Sequence, residues 1–178
     1  EPPPALGVLA GAFPGRVRVL DASLGALRWL VATAPGAAPD PVVRRLPRAF
    51  RALQIPEGYT SADRYRTQIT SVNRALATLA RARGPFALSL CDYGDSRYDP
   101  FCAADLLEAA AHPARHLFDD YVCTSVIPAV AALAPRLVGL SVNYRQQALP
   151  AMALLGRLRA AFPDVPLVLG GGLITAWL

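Results

Sequence analysis

An α/β fold, a mostly parallel sheet with helices on both faces, is what this sequence predicts. Short runs rich in Val and Leu alternate with longer helical segments, the order that builds strand–helix–strand units. The strand-like runs end in polar or glycine-rich loops, as they do where a parallel sheet presents its carboxyl ends. With 178 residues, 53% of them hydrophobic, the chain is long enough for one domain with a sizeable core. We expect a single domain over 1–178 with a Pro/Arg-rich connection at 35–58.

Taken in order, Ala5 to Phe13 suits a short helix and Pro14-Gly15 a turn. Val17 to Leu20 is a short strand ending at Asp21, which caps a helix over Ala22 to Ala34. The segment 35–58 carries Pro35, Pro39, Pro41, Pro47 and Pro56 around Arg44, Arg45, Arg48 and Arg51. It is expected to lie over the surface, with one helical turn around Arg48 to Leu53. Ser61 caps a long helix that Gly84-Pro85 stops, and Tyr65, Ile69, Val72, Leu76 and Leu79 form its inward stripe.

Phe86 to Leu90 is the next strand, followed by a polar loop from Asp95 to Pro100. Cys102 to Ala111 and Ala114 to Ala134 are helical, the second interrupted by Pro128. Leu137 to Val142 is a buried strand, Ala148 to Phe162 a helix, Leu167 to Leu169 a strand, and Leu173 to Leu178 the start of a helix. Four strands are fewer than the roughly five or six of a common sheet. The expected fold is therefore Rossmann-like (flavodoxin-like) and incomplete at both ends, a fragment of a longer protein.

Composition narrows the function. The net charge is +5 and every basic residue is Arg, but the arginines are spread along the chain with no aromatic-interleaved patch, so nucleic acid is not an expected partner. No apolar stretch reaches the roughly 18 residues of a membrane span, and the Pro-rich start lacks a signal's basic residues. A cytoplasmic protein without membrane contact is expected. Cys91, Cys102 and Cys123 form no CxxC pair and, with His112 and His116, no tetrahedral metal set. They are read as small buried hydrophobes. Pro113 starts a helix between the two histidines, so these are not a metal-binding pair on one helix face. No metal ligand and no catalytic residue is assigned.

Two loops carry the chemistry. After Val142 come Asn143, Tyr144, Arg145, Gln146 and Gln147, polar groups that are costly at the end of a buried strand unless satisfied. They either ring a ligand or cap the next helix and touch a neighbouring domain. The Ser141 hydroxyl, one residue inside the strand, bonds either a ligand or adjacent backbone. After Leu169, Gly170-Gly171-Gly172 removes three successive Cβ atoms ahead of a helix N-terminus, which favours close approach of a ligand over a bare turn. GxGxxG, GxxxxGK[ST] and GxSxG are all absent. Asp92, Asp95 and Asp99 are read as a solvated loop cluster.

The run Leu137-Val138-Gly139-Leu140-Ser141-Val142-Asn143-Tyr144-Arg145-Gln146-Gln147-Ala148-Leu149-Pro150-Ala151 resembles the "VGiSv-y-sQ-lpA" segment of cobalamin-binding radical SAM proteins. Phe162-Pro163-Asp164-Val165, then Leu169-Gly170-Gly171-Gly172 and Thr175-Ala176-Trp177, are similar to that family's "fPdv", "lGG" and Thr-Ser/Ala-Trp. Pro2 to Ala10 looks like its "PPlgl-yLa", and Val17 to Asp21 like its "v-vlD" strand. The resemblance covers both ends of the chain and leaves 35–135 unmatched. It implies the N-terminal cobalamin-binding domain of a radical SAM enzyme, a methyltransferase or cyclase-like oxidoreductase. Ser141, Asn143, Tyr144, Gln146, Gln147, Gly170, Gly171, Gly172 and Thr175 would line the corrin and its nucleotide tail. S-adenosylmethionine and a 4Fe-4S cluster would belong to a separate barrel of the same polypeptide, because CxxxCxxC is absent here. The DxHxxG motif that supplies a histidine to cobalt is absent too. The alternative is a cobalamin-free scaffold or substrate-recognition domain of such a protein.

Overall fold

In the computed structural model, residues 4–37 and 40–177 are described. The Glu1-Pro2-Pro3 start, Pro39 and Leu178, each part of a sequence expectation, lie outside them. The elements are α1 (Pro4–Ala12), α2 (Ala22–Ala37), α3 (Pro41–Arg44), α4 (Leu46–Ala52), α5 (Ala62–Arg83), β1 (Phe86–Leu88), β2 (Tyr93–Asp95) and α6 (Ala103–Ala111). They continue as α7 (Asp119–Tyr121), α8 (Ile127–Leu133), β3 (Val138–Ser141), α9 (Ala148–Ala161), β4 (Leu167–Gly170) and α10 (Gly172–Trp177). The chain divides into two compact units, residues 27–106 and the residues on either side of them.

In the 27–106 unit the organising element is α5. The Ser61 hydroxyl accepts from the Arg64 amide at 3.5 Å, and Asp63 sits in the first turn, where a negative charge meets the positive helix end. Val72 and Leu76 are fully buried, each worth about 2 kcal/mol of hydrophobic stabilisation. Tyr65, placed on the inward stripe by its spacing, is 40% exposed and stacks on Tyr59 instead, ring centroids 5.3 Å apart. The 35–58 segment is more helical than expected. Asp40 accepts from the Val42 amide at 2.7 Å, and Pro41 and Pro47 stand in the first turns of α3 and α4, where a missing N–H costs nothing. Val43 and Leu46 are buried, so the segment contributes core and does not merely lie over it.

The strand at Phe86 is shorter than expected and folds back on itself. Ser89 Oγ accepts from the Cys91 and Asp92 amides at 3.2 and 2.9 Å, and the turn pairs β1 antiparallel with β2. Asp95, expected in a solvated loop, is 4% exposed and takes a two-pronged bond from Arg97, at 2.9 and 2.6 Å. A buried carboxylate requires such a partner, which is why it is not left to solvent.

In the other unit, β3 and β4 form a parallel pair with Val138 opposite Leu167 and Ser141 opposite Gly170. One face of that pair, carrying Val138, Leu140 and Leu167, packs on Val126, Val130 and Leu158 of the surrounding helices. Arg157 on α9 makes two bonds to Asp119 at the start of α7, at 2.7 and 2.6 Å, and those bonds, helped by the carboxylate's charge, keep the guanidinium more firmly protonated. The helix expected over 114–134 begins at Asp119 after a 3₁₀ turn at Pro113–Arg115. The segment Val122–Val126 widens to a π-helical turn just before Pro128, which supplies no amide to the ladder. Asp21 accepts from the Leu24 amide at 2.9 Å and caps α2 as expected.

Val17 to Leu20, expected as a strand, joins no ladder, and Leu20 is 48% exposed. The four strands of the described residues form two separate two-stranded sheets. The mixed α/β class therefore holds, while one continuous parallel sheet is not what these pairs form. Cys91 and Cys123 are exposed and Cys102 half-buried, which corrects their reading as buried hydrophobes. No described helix is long and apolar enough to cross a membrane.

Candidate functional site

The carboxyl ends of β3 and β4 lie side by side, so the two loops singled out in the sequence meet. Alternation along a strand sends Leu140 and Val142 to one side and Gly139 and Ser141 to the other. Val142 is 2% exposed and Leu140 packs on the helical cluster, so the Ser141 side faces away from that core. On β4 the same side carries Val168, 50% exposed, and Gly170. No described atom comes within 4 Å of where a Cβ on Gly139 or Gly170 would stand. Beside Ser141 this face is therefore backbone at Gly139 and Gly170, with the Val168 side chain as its apolar neighbour. Gly139 and Val168 were not singled out in the sequence, although strand alternation from Ser141 and Gly170 finds them.

Asn143 ties the two strand ends together. Its Oδ1 accepts from the Gly172 amide at 3.0 Å, across 29 residues of chain, and its Nδ2 donates to Ser141 Oγ at 3.1 Å. The Gly172 bond fixes which amide atom is oxygen, because a backbone N–H only donates. Gln147 Oε1 accepts from the Asn143 and Tyr144 amides, at 2.8 and 3.2 Å, and closes the loop that precedes α9. Both carboxamide oxygens, expected to face a ligand or to cap, accept from the protein's own backbone. Tyr144 is 62% exposed, and Arg145 and Gln146 occupy the 3₁₀ turn that leads into α9.

The three glycines do different things. Gly171 has φ +106°, and a Cβ there would run into the backbone of Val142, so this position needs glycine for the protein's own packing. The Val142 amide donates to the Gly170 carbonyl at 2.7 Å and the Leu173 amide donates to the Val142 carbonyl at 3.1 Å, fastening that approach. Gly170 is the glycine that leaves open space, and Gly172 supplies its amide to Asn143. The hydroxyl and amide of Thr175 both donate to the Gly171 carbonyl, at 3.1 and 3.0 Å, so its polar groups serve the first turn of α10.

No family model, curated protein or solved structure matches the chain. The site therefore rests on its own chemistry. Ser141 Oγ already accepts one bond, and among the described residues nothing accepts its proton. A hydroxyl in that state has its proton available to a group on the open face. No group of three or more His, Cys, Asp or Glu suited to a metal ion occurs among the described residues.

Proposed function

We propose that this chain is a cobalamin-binding domain of a radical SAM enzyme, Rossmann-like in plan, and cytoplasmic. The observation that carries the proposal is the Ser141 hydroxyl, its proton uncommitted, standing over a floor of Gly139 and Gly170 at the ends of two parallel strands. Those residues fit the nucleotide tail of cobalamin. The tail is flat and carries hydrogen-bond acceptors, so it needs a floor without Cβ atoms and a donor above it. Cobalamin, when bound, supplies cobalt-centred group transfer for a methylation or cyclisation on an adjacent barrel. That barrel, in the same polypeptide, would hold S-adenosylmethionine and a 4Fe-4S cluster.

The chain's own contributions are binding and orientation. Ser141 donates to the tail. Gly170 and Gly139 let it lie against backbone, and Val168 gives it an apolar rim. Gly171 holds the two strand ends at a fixed separation. A second reading, a cobalamin-free scaffold, is favoured by the carboxamide oxygens of Asn143 and Gln147, which accept from the protein's own backbone.

Hydroxocobalamin titration, followed by the visible spectrum and by co-elution on gel filtration, separates the two. The cobalamin reading expects saturable binding, weakened about tenfold or more in Gly170→Leu, whose side chain fills the open face. Because that face is open, the substitution should change folding stability by only about 0.5 kcal/mol. A well-folded chain that leaves cobalamin free in the eluate supports the scaffold.

A further inference from the structure

The geometry points to Asn143 as a positioning residue that sets the direction of the Ser141 hydrogen bond, making the hydroxyl a donor toward the ligand; this rests on the proposed cobalamin reading. An isolated serine hydroxyl both donates and accepts, and it turns to suit its surroundings. Here that freedom is narrowed in two steps. The Gly172 amide holds Asn143 Oδ1 as its acceptor at 3.0 Å, so the other side of the carboxamide must be NH₂. That NH₂ stands 3.1 Å from Ser141 Oγ and donates to it. One of the serine oxygen's two acceptor sites is thereby taken by a group that cannot accept in return, so the proton turns away from Asn143, and it has no described acceptor within the chain. The site consequently offers a donor to ligand groups that accept, such as an unprotonated ring nitrogen, a carbonyl or a phosphate oxygen.

The same carboxamide joins the loop after β3 to the turn after β4, so the polarity of Ser141 is coupled to the closure of that turn. Gln147 makes the arrangement stiffer. By accepting from the Asn143 and Tyr144 amides it holds the backbone from which the Asn143 side chain projects. Asn143 itself needs no contact with the ligand in this role.

The discriminating substitution is Asn143→Asp. A carboxylate still accepts from the Gly172 amide, so the turn is kept. Its second oxygen accepts and cannot donate, so the Ser141 proton turns inward to it and the ligand loses its donor. Hydroxocobalamin Kd is measured by visible-spectrum titration for the unaltered chain, Ser141→Ala, Asn143→Asp and the double variant, with thermal midpoints as the check on folding. We expect each single substitution to raise Kd about tenfold, the worth of one hydrogen bond. The double variant should be no weaker than Ser141→Ala alone, because both substitutions remove the same bond. A merely structural Asn143 leaves Asn143→Asp at the unaltered Kd, and a direct electrostatic effect of the new carboxylate makes the losses multiply. Either result overturns the inference and leaves cobalamin binding standing. No binding by the folded, unaltered chain overturns the cobalamin reading and this inference with it.

Discussion

A single side chain in this site takes its meaning from what its neighbours have already used. Ser141, Asn143 and Gln147 are all polar residues near a strand end, and the sequence left open whether they face a ligand or the protein. Gln147 and Asn143 spend their carboxamide oxygens on nearby and distant backbone, while Ser141 retains a proton. That division rests on an approach between residues 29 positions apart, which no local pattern encodes. The glycine run was legible as a close approach, but not as an approach of the chain to itself at Gly171. Gly171→Ala should therefore cost about 3 kcal/mol, from the φ of +106° and the collision with Val142, read as a fall in the chemical-denaturation midpoint. Gly170→Ala, with nothing near its Cβ, should leave that midpoint nearly unchanged. Equal losses at the two positions would contradict the distinct roles given to them.

Elements were legible wherever their ends were marked. Ser61 and Gly84 bound α5 as the caps predict, and Asp21 caps α2. The short helices α3 and α4 were under-read because proline density suggests a surface connection. Asp40-Pro41 is nonetheless a start signal, a capping carboxylate followed by a residue pre-set for the first turn. The strand β2 was missed because Tyr93-Gly94-Asp95 has the composition of a turn, and what makes it a strand is pairing with β1. Val17 to Leu20 shows the converse, strand composition with no ladder to join.

The β1–β2 hairpin carries two predictions. Asp95→Ala removes the two bonds that Arg97 makes to this buried carboxylate and should destabilise the chain by about 2–3 kcal/mol, measured by denaturant unfolding. Tyr93 is buried beside Asp95, and burial first, then that negative charge, pushes its phenol well above the ordinary value. The unfolded chain gives up this proton near pH 10, which the folded chain resists. The stability it contributes is thus fully present below about pH 10 and lost as pH rises beyond that. Far-ultraviolet circular dichroism should show alkaline unfolding that Tyr93→Phe moves to higher pH. An unchanged midpoint in that variant would assign the alkaline transition to another group.

At the scale of the whole molecule, the α/β class was legible from the alternation of short apolar runs with amphipathic segments. The division into two units was not, because α2 and α6 run through its boundaries without any linker composition to mark them. The predicted mostly parallel sheet rested on the alternation of strand-like and helical runs. The Ser89–Asp92 turn, whose hydroxyl-to-amide bonds reverse the chain within four residues, sends one of those strands back on itself. The parallel pair β3–β4 is where sequence and structure coincide most closely, and it carries the proposed site. The central claim is that its open face binds cobalamin, and the most direct measurement is backbone amide chemical-shift mapping of the ¹⁵N-labelled chain during hydroxocobalamin addition. The account predicts saturable shifts concentrated at Gly139, Ser141, Val168, Gly170 and Gly172. No shift at any concentration, or shifts confined to residues 27–106, would contradict it.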